Sequence, residues 1–129
     1  MSEQDVASLR AAYDDFNAGK PEAVIAQLTD DVEWTEPGGG NSPEGTFNGP
    51  EAVGNDVFAK IPQNFDEYAV APEDFDDQDD KIVVTGKFTG KSKSGVDLDA
   101  PFTHTFEMRD GKVAKFENQA GGNWAEAWS

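Results

Sequence analysis

The stretch from residue 96 to residue 120 limits the fold more than any other. From Leu98 to Met108 every second residue falls on one face: Leu98, Ala100, Phe102, His104, Phe106 and Met108. Asp99, Thr103, Thr105, Glu107 and Arg109 fall on the other. A period of two with one apolar face is the pattern of a half-buried strand. Asp110-Gly111 follows, and then a second run in which Ala114, Phe116, Asn118 and Ala120 share a face. Asp-Gly between two alternating runs predicts a tight hairpin, from Val96 to Arg109 and from Val113 to about Ala120. The only histidine of the chain sits on the apolar face of this hairpin. Asn118, on the facing strand, is placed to meet it.

The rest of the chain supplies what covers such a hairpin. Residues 3 to 18 carry Val6, Leu9, Tyr13 and Phe16 at helical spacing, with Ser2 as the expected N-cap. Gly19 ends that helix, and Pro21 opens a short second one that buries Val24, Ile25 and Leu28. Residues 30 to 36 read as the first strand, with Val32, Trp34 and Glu36 on one face. The Gly/Pro/Asn/Ser-rich segment 37–50, containing Gly38-Gly39-Gly40, is expected to be a mobile flap anchored by Phe47. Gly49-Pro50 introduces a third helix, expected from 50 to 61 with Val53, Val57, Phe58 and Ile61 inward and Pro62 as its stop. Phe65 to Phe75 is an imperfect strand whose Pro72 marks an edge or a bulge. The acidic turn 76–80 lacks the glycine and distal glutamate of a calcium loop. Lys81 to Gly90 is the next strand. Trp124 and Trp128, four apart, would lie together on a last helical turn.

Helices set apart from a run of hairpin-linked strands give an α+β domain. At 129 residues one domain with one core is expected, spanning 1–129. Three helices laid across a curved, antiparallel or mixed sheet leave a cone-like pocket, where a small apolar molecule would bind.

Charge decides which partners are excluded. Asp plus Glu number 26 against 10 Lys plus Arg, a net charge of −16. Such a chain is repelled by nucleic acid and by anionic membranes. Three Trp, two Tyr and nine Phe argue against a disordered acidic segment. The remaining reading is a folded domain with the hydrated acidic surface of salt-loving microorganisms, whose self-repulsion is screened within about 3 Å at molar salt. No apolar run reaches membrane-spanning length, and the N-terminal residues do not form a secretory signal, so a cytoplasmic location is expected. There is no cysteine. With one histidine, no metal site and no cofactor are expected.

Two titratable residues are candidates for chemistry. His104 is either a core histidine held by structural partners or a ligand-facing donor or base. Glu36 shares its face with Val32 and Trp34. In an apolar cavity its pKa would rise toward a proton-transfer role, whereas at an exposed strand end it would be one acid among many. Tyr13 and Trp34 are either core or amphipathic walls of the cavity. Phe102, Phe106, Asn118 and Trp124 complete the expected ligand contacts.

The runs Ala12-Tyr13 through Asn17-Ala18-Gly19-Lys20, Leu28-Thr29-Asp30-Asp31-Val32-Glu33-Trp34, Gly45-Thr46-Phe47-Asn48-Gly49-Pro50-Glu51-Ala52-Val53 and Ala100-Pro101-Phe102-Thr103-His104 through Asp110-Gly111-Lys112-Val113 stand in an order that resembles the SnoaL-like family. This is a branch of the nuclear-transport-factor-2-like, ketosteroid-isomerase-like superfamily. The resemblance implies a cystatin-like α+β barrel and a homodimer through the outer sheet face, where Lys87, Thr89, Thr103 and Thr105 lie. The family's fold hosts isomerases, cyclases, hydrolases and non-catalytic binders. Its polyketide cyclases pair a histidine with an aspartate on the following strand. His104 matches the histidine, but Asn118 stands in the aspartate's place, and an amide does not carry that proton. The ketosteroid isomerases place an acid before a proline at the end of the first strand, as Glu36-Pro37 does here. Their oxyanion set is incomplete, with Tyr13 one position off and no matching acid. The chain is therefore expected to be a small-molecule-binding domain without an assigned activity. The alternative is an isomerase-, cyclase- or hydrolase-type enzyme moving a proton on an apolar carbonyl compound, with Glu36 or His104 as base.

Overall fold

A computed structural model describes residues 3–129. The Ser2 cap expected for the first helix lies outside the described residues. Helix α1 (Glu3–Asn17) buries Leu9 and Tyr13. Its end is bolted to the sheet by Asn17, whose Nδ2 donates to the Val70 carbonyl at 2.7 Å while the Val70 N–H donates to Asn17 Oδ1 at 2.9 Å. Helix α2 (Pro21–Ile25) is shorter than expected, because β1 (Leu28–Pro37) begins two residues before the predicted strand.

The segment expected to be a mobile flap instead contains a strand. β2 (Glu44–Asn48) pairs antiparallel with β1, from Glu33 opposite Asn48 to Pro37 opposite Glu44. Only Phe47 of its five residues is drawn toward the core, so β2 shows no alternation for a sequence reading to find. The third helix also differs from expectation. α3 (Pro50–Asp56) ends at Val57, a turn of 3₁₀ helix covers Phe58–Lys60, and α4 (Ile61–Asn64) follows. Pro62 starts α4 and does not stop α3, since a proline in the first helical turn gives up no needed N–H.

β3 (Phe65–Asp77), β4 (Ile82–Ser92), β5 (Asp97–Arg109) and β6 (Lys112–Ala120) run as an antiparallel meander. β1 then adds to β6 in parallel. The six strands form one mixed sheet in the order β2-β1-β6-β5-β4-β3. It is open, with β2 and β3 as its edges, rather than a closed barrel.

The β5–β6 hairpin follows the predicted design. Asp110 and Gly111 both have positive φ, 55° and 79°, as a two-residue turn matched to strand twist requires. One feature of β6 departs from the expected face. Glu107 pairs with Lys115 and Met108 with Val113, which leaves Ala114 as an extra residue. The bulge changes the phase of alternation, so Val113 takes the buried place expected for Ala114. Beyond the bulge Phe116 and Asn118 point inward as predicted.

Helix α5 (Trp124–Ala127) closes one end of the fold. The Asn41 N–H donates to the Trp128 carbonyl at 2.8 Å, and the Trp124 indole donates to the Gly38 carbonyl at 3.0 Å. Gly40 packs so tightly here that a Cβ would sit 2.5 Å from the Ala125 carbonyl oxygen. The triple glycine is thus clamped by the last helical turn, a use of glycine for close approach and not for mobility.

Candidate functional site

Between the helices and the sheet lies a cavity of about 90 Å³, several times the room that one buried water needs. α1 contributes Tyr13, β1 contributes Trp34 and Glu36, β5 contributes His104, and β6 contributes Asn118. Each follows from strand or helix periodicity. Val32, Trp34 and Glu36 alternate inward along β1, and Leu98 through Phe106 do so along β5.

Glu36 is buried to 8% exposure and is held at both oxygens. The Trp34 indole donates to Oε2 at 2.7 Å, and Asn118 Nδ2 donates to Oε1 at 3.0 Å. The first contact is local to β1. The second spans 82 residues and exists because β1 and β6 are parallel neighbours. Burial pushes the Glu36 carboxyl up to about 7, and the two donated hydrogen bonds only partly oppose it. Near neutrality this group can therefore either hold or release a proton.

His104 lies opposite Asn118 in the β5–β6 register and opposite Val84 on β4. Its ring stacks on Phe102 at 3.9 Å between centroids. The Tyr13 hydroxyl lies 2.7 Å from Nδ1. Because the Asn118 amide nitrogen is committed to Glu36, its oxygen is left to face the imidazole. An acceptor there requires a donor, which assigns the proton to Nε2 and makes Tyr13 the donor to Nδ1. Burial drives His104 down to about 3, against an opposing effect from Asn118, so the ring is neutral at physiological pH. A neutral imidazole donates a hydrogen bond but is a poor proton store. Burial also raises the Tyr13 and Tyr68 hydroxyls well above their ordinary range, with the Glu36 charge adding to the effect on Tyr68.

Both readings of His104 describe part of the ring. Nδ1 is held structurally by Tyr13, while Nε2 is buried with no hydrogen-bond partner. Asn118 Oδ1 and Trp128 Nε1 are likewise buried without partners. These three are the unpaired buried side-chain atoms among the described residues, and all belong to residues that line the cavity.

Of the residues singled out from the sequence, Glu36, His104, Tyr13, Trp34, Phe106, Asn118 and Trp124 meet around this cavity. Phe102 is the exception. It packs against the His104 ring and does not itself line the cavity. Trp128, Tyr68 and Phe116 line it without having been assigned to it. The four-residue spacing of Trp124 and Trp128 was a usable signal for the first. Tyr68 sits on the irregular strand β3, where alternation is weak. No group of three His, Cys, Asp or Glu residues able to hold a metal occurs among the described residues. Nor is any helix among them long and apolar enough to cross a membrane.

Among solved structures, the chain is similar to an NTF2-like protein of unknown function from Burkholderia pseudomallei. That match has 27% identity, 94% of this chain and 92% of the other covered, and a TM-score of 0.85. It is similar at the same identity to TerC co-crystallised with polyporic acid, with 92% of each chain covered and a TM-score of 0.83. A protein of unknown function with a cystatin-like fold from Xanthomonas campestris shares the fold at 20% identity, with 96% of each chain covered and a TM-score of 0.84. No match was found among curated proteins. The SnoaL-like domain matches residues 9–116, most of the length and every element from α1 to β6. The chain belongs to the SnoaL-like family, within the NTF2-like superfamily.

Proposed function

We propose that this protein binds a small, largely aromatic molecule in the cavity between the helices and the sheet. The observation that carries this reading is one mainly apolar cavity lined by the facing pair His104 and Asn118 and by Trp128, whose buried Nε1 has no hydrogen-bond partner. Buried polar groups are nearly always hydrogen-bonded, and a concave apolar site with a few converging polar groups is the usual form of a ligand pocket. TerC, similar in fold and 27% identical, was co-crystallised with polyporic acid.

A thermal-shift screen in molar KCl tests this reading, using polyporic acid, steroids and aromatic ketones on the wild type and on His104→Ala. At least one compound should raise the wild-type Tm and lose most of that effect in the variant. If no compound stabilises the wild type, the reading is wrong.

A second reading is favoured by one specific observation, the rise of the Glu36 pKa to about 7 beside the cavity. Here the bound molecule is a carbonyl compound and Glu36 takes a proton from the carbon next to the carbonyl. His104, neutral, serves as a hydrogen-bond donor and not as the base. Deuterium exchange into a bound ketone, followed by NMR, separates the two readings. Exchange above the buffer rate that disappears in Glu36→Gln supports turnover, and exchange at the buffer rate leaves binding alone. The expected homodimer belongs to the same proposal. No large hydrophobic side chain is exposed among the described residues, so pairing through Lys87, Thr89, Thr103 and Thr105 would make a polar interface. Light scattering at molar salt gives its stoichiometry.

A further inference from the structure

The three tryptophans of this chain differ in what their indole N–H groups meet. Trp34 donates to Glu36 and Trp124 donates to the Gly38 carbonyl. Trp128 is 1% exposed, lines the cavity and has no acceptor for Nε1. Its ring is held in place from several sides. Its carbonyl accepts from the Asn41 N–H, its own N–H donates to the Trp124 carbonyl at 3.2 Å, and its ring is flanked by Phe65 at 4.9 Å and Trp124 at 5.5 Å. The two rings offer the indole aromatic surface, and Nε1 finds no acceptor.

The other two unpaired atoms of the cavity form a complementary set. His104 Nε2 is a donor and Asn118 Oδ1 an acceptor, and they belong to residues directly opposite in register. They are near enough that Asn118 acts on the imidazole as a hydrogen-bond partner, opposing the fall of its pKa, so each can serve the other. Trp128 Nε1 has no such counterpart, so it is the donor that the protein leaves over. The cavity lining contains no Lys or Arg and does contain Glu36. A negatively charged group would therefore find no cation there, and would meet the Glu36 carboxylate whenever that is ionised.

We infer that the Trp128 indole N–H is the ligand-recognition donor of this cavity, and that it binds the oxygen of an uncharged aromatic carbonyl compound. The inference rests on the small-molecule reading above and adds to it a named contact and a chemical class.

The test compares acetophenone with ethylbenzene, which differ in whether a carbonyl oxygen is present. Proton–nitrogen NMR of the labelled full chain in molar KCl should show three indole signals, with that of Trp128 identified by Trp128→Phe. Acetophenone should move the Trp128 indole proton downfield, as a new hydrogen bond does, while ethylbenzene should not. Trp128→Phe should weaken acetophenone binding about tenfold more than it changes ethylbenzene binding, the difference being the loss of one neutral hydrogen bond. Should Trp128→Phe fail to fold, the Trp128 indole signal is identified by its nuclear Overhauser contacts with the Phe65 ring, 4.9 Å away, and the wild-type comparison of the two probes decides alone. If acetophenone shifts the cavity backbone signals of Phe116 and Asn118 but leaves the Trp128 indole as ethylbenzene does, this inference is overturned and the binding reading survives. If neither compound perturbs any cavity residue, the binding reading falls and takes the inference with it.

Discussion

Glu36→Gln offers the sharpest test of how the cavity treats charge. The ordinary Glu36 pKa of 4.5 rises to about 7 in the fold, chiefly through burial. At about 1.4 kcal/mol per pH step, ionised Glu36 costs the native state about 3 kcal/mol. The sign follows from proton binding. Between 4.5 and about 7 the folded protein holds the Glu36 proton and the unfolded chain does not, so stability falls as pH rises. Below 4.5 both states are protonated and the cost is absent. Above about 7 it is complete. Glutamine carries no such cost, but its amide nitrogen must face one of two donors, Trp34 Nε1 or Asn118 Nδ2. That mismatch costs about 1–3 kcal/mol at every pH. The variant should therefore be less stable than wild type in acid, and the gap should close or reverse on going to about pH 8. Urea unfolding in molar KCl, followed by tryptophan fluorescence at a series of pH values, measures the difference. His104, lowered from 6.5 to about 3 by folding, adds its own pH dependence between those values, but it enters both curves and largely cancels. Parallel wild-type and variant curves across the whole range would refute the reasoning.

Two other outcomes are expected. Tyr13→Phe strips His104 Nδ1 of its donor, and His104→Phe strands the Tyr13 hydroxyl. Each should cost about 1–3 kcal/mol, and the double variant should cost clearly less than their sum in a double-mutant cycle. Stability should also climb from low to molar KCl, because ion pairs such as Lys87–Asp99 and Lys93–Asp66 are at least half exposed and offset little of a net charge of −16. Equilibrium unfolding against salt checks this, and a flat or falling curve contradicts it.

What could be read from the sequence was what local periodicity encodes. The β5 face carrying Phe102, His104 and Phe106 follows from a period of two, and the turn at Asp110-Gly111 from two residues that tolerate positive φ. α1 follows from Leu9 and Tyr13 at helical spacing. β2 was hidden because a strand with one inward residue has no period, and the Gly38-Gly39-Gly40 run before it read as mobility when Gly39 and Gly40 serve close packing against α5. The break after α3 was hidden because Pro62 can start a helix as well as end one. The Ala114 bulge left no mark at all, since Val113 and Ala114 are both apolar and either could face the core. Within the cavity the Trp34–Glu36 contact is two residues apart and was within reach. The Glu36–Asn118 contact was not, because it depends on parallel pairing of β1 with β6, and no turn sets the register of a parallel pair. The pairing of His104 with Tyr13, 91 residues away, needed the packing of α1 on the sheet.

The open sheet has a consequence for how copies of this protein avoid one another. β3 is an edge strand, capped at Val70 by Asn17, and a strand from another molecule could add to its remaining outward backbone groups. It carries Asp66, Glu67, Glu73, Asp74, Asp76 and Asp77 and not one Lys or Arg. Two such edges repel each other in dilute buffer, but screening within about 3 Å at molar salt removes most of that protection. A second guard then matters more. Pro72 offers no N–H, and the pairing of β3 with β4 shifts register between Pro72 and Asp74. This interruption works by geometry and is indifferent to salt. At molar salt, the proline and the irregularity beside it, more than the acids, would keep the edge from templating a fibre.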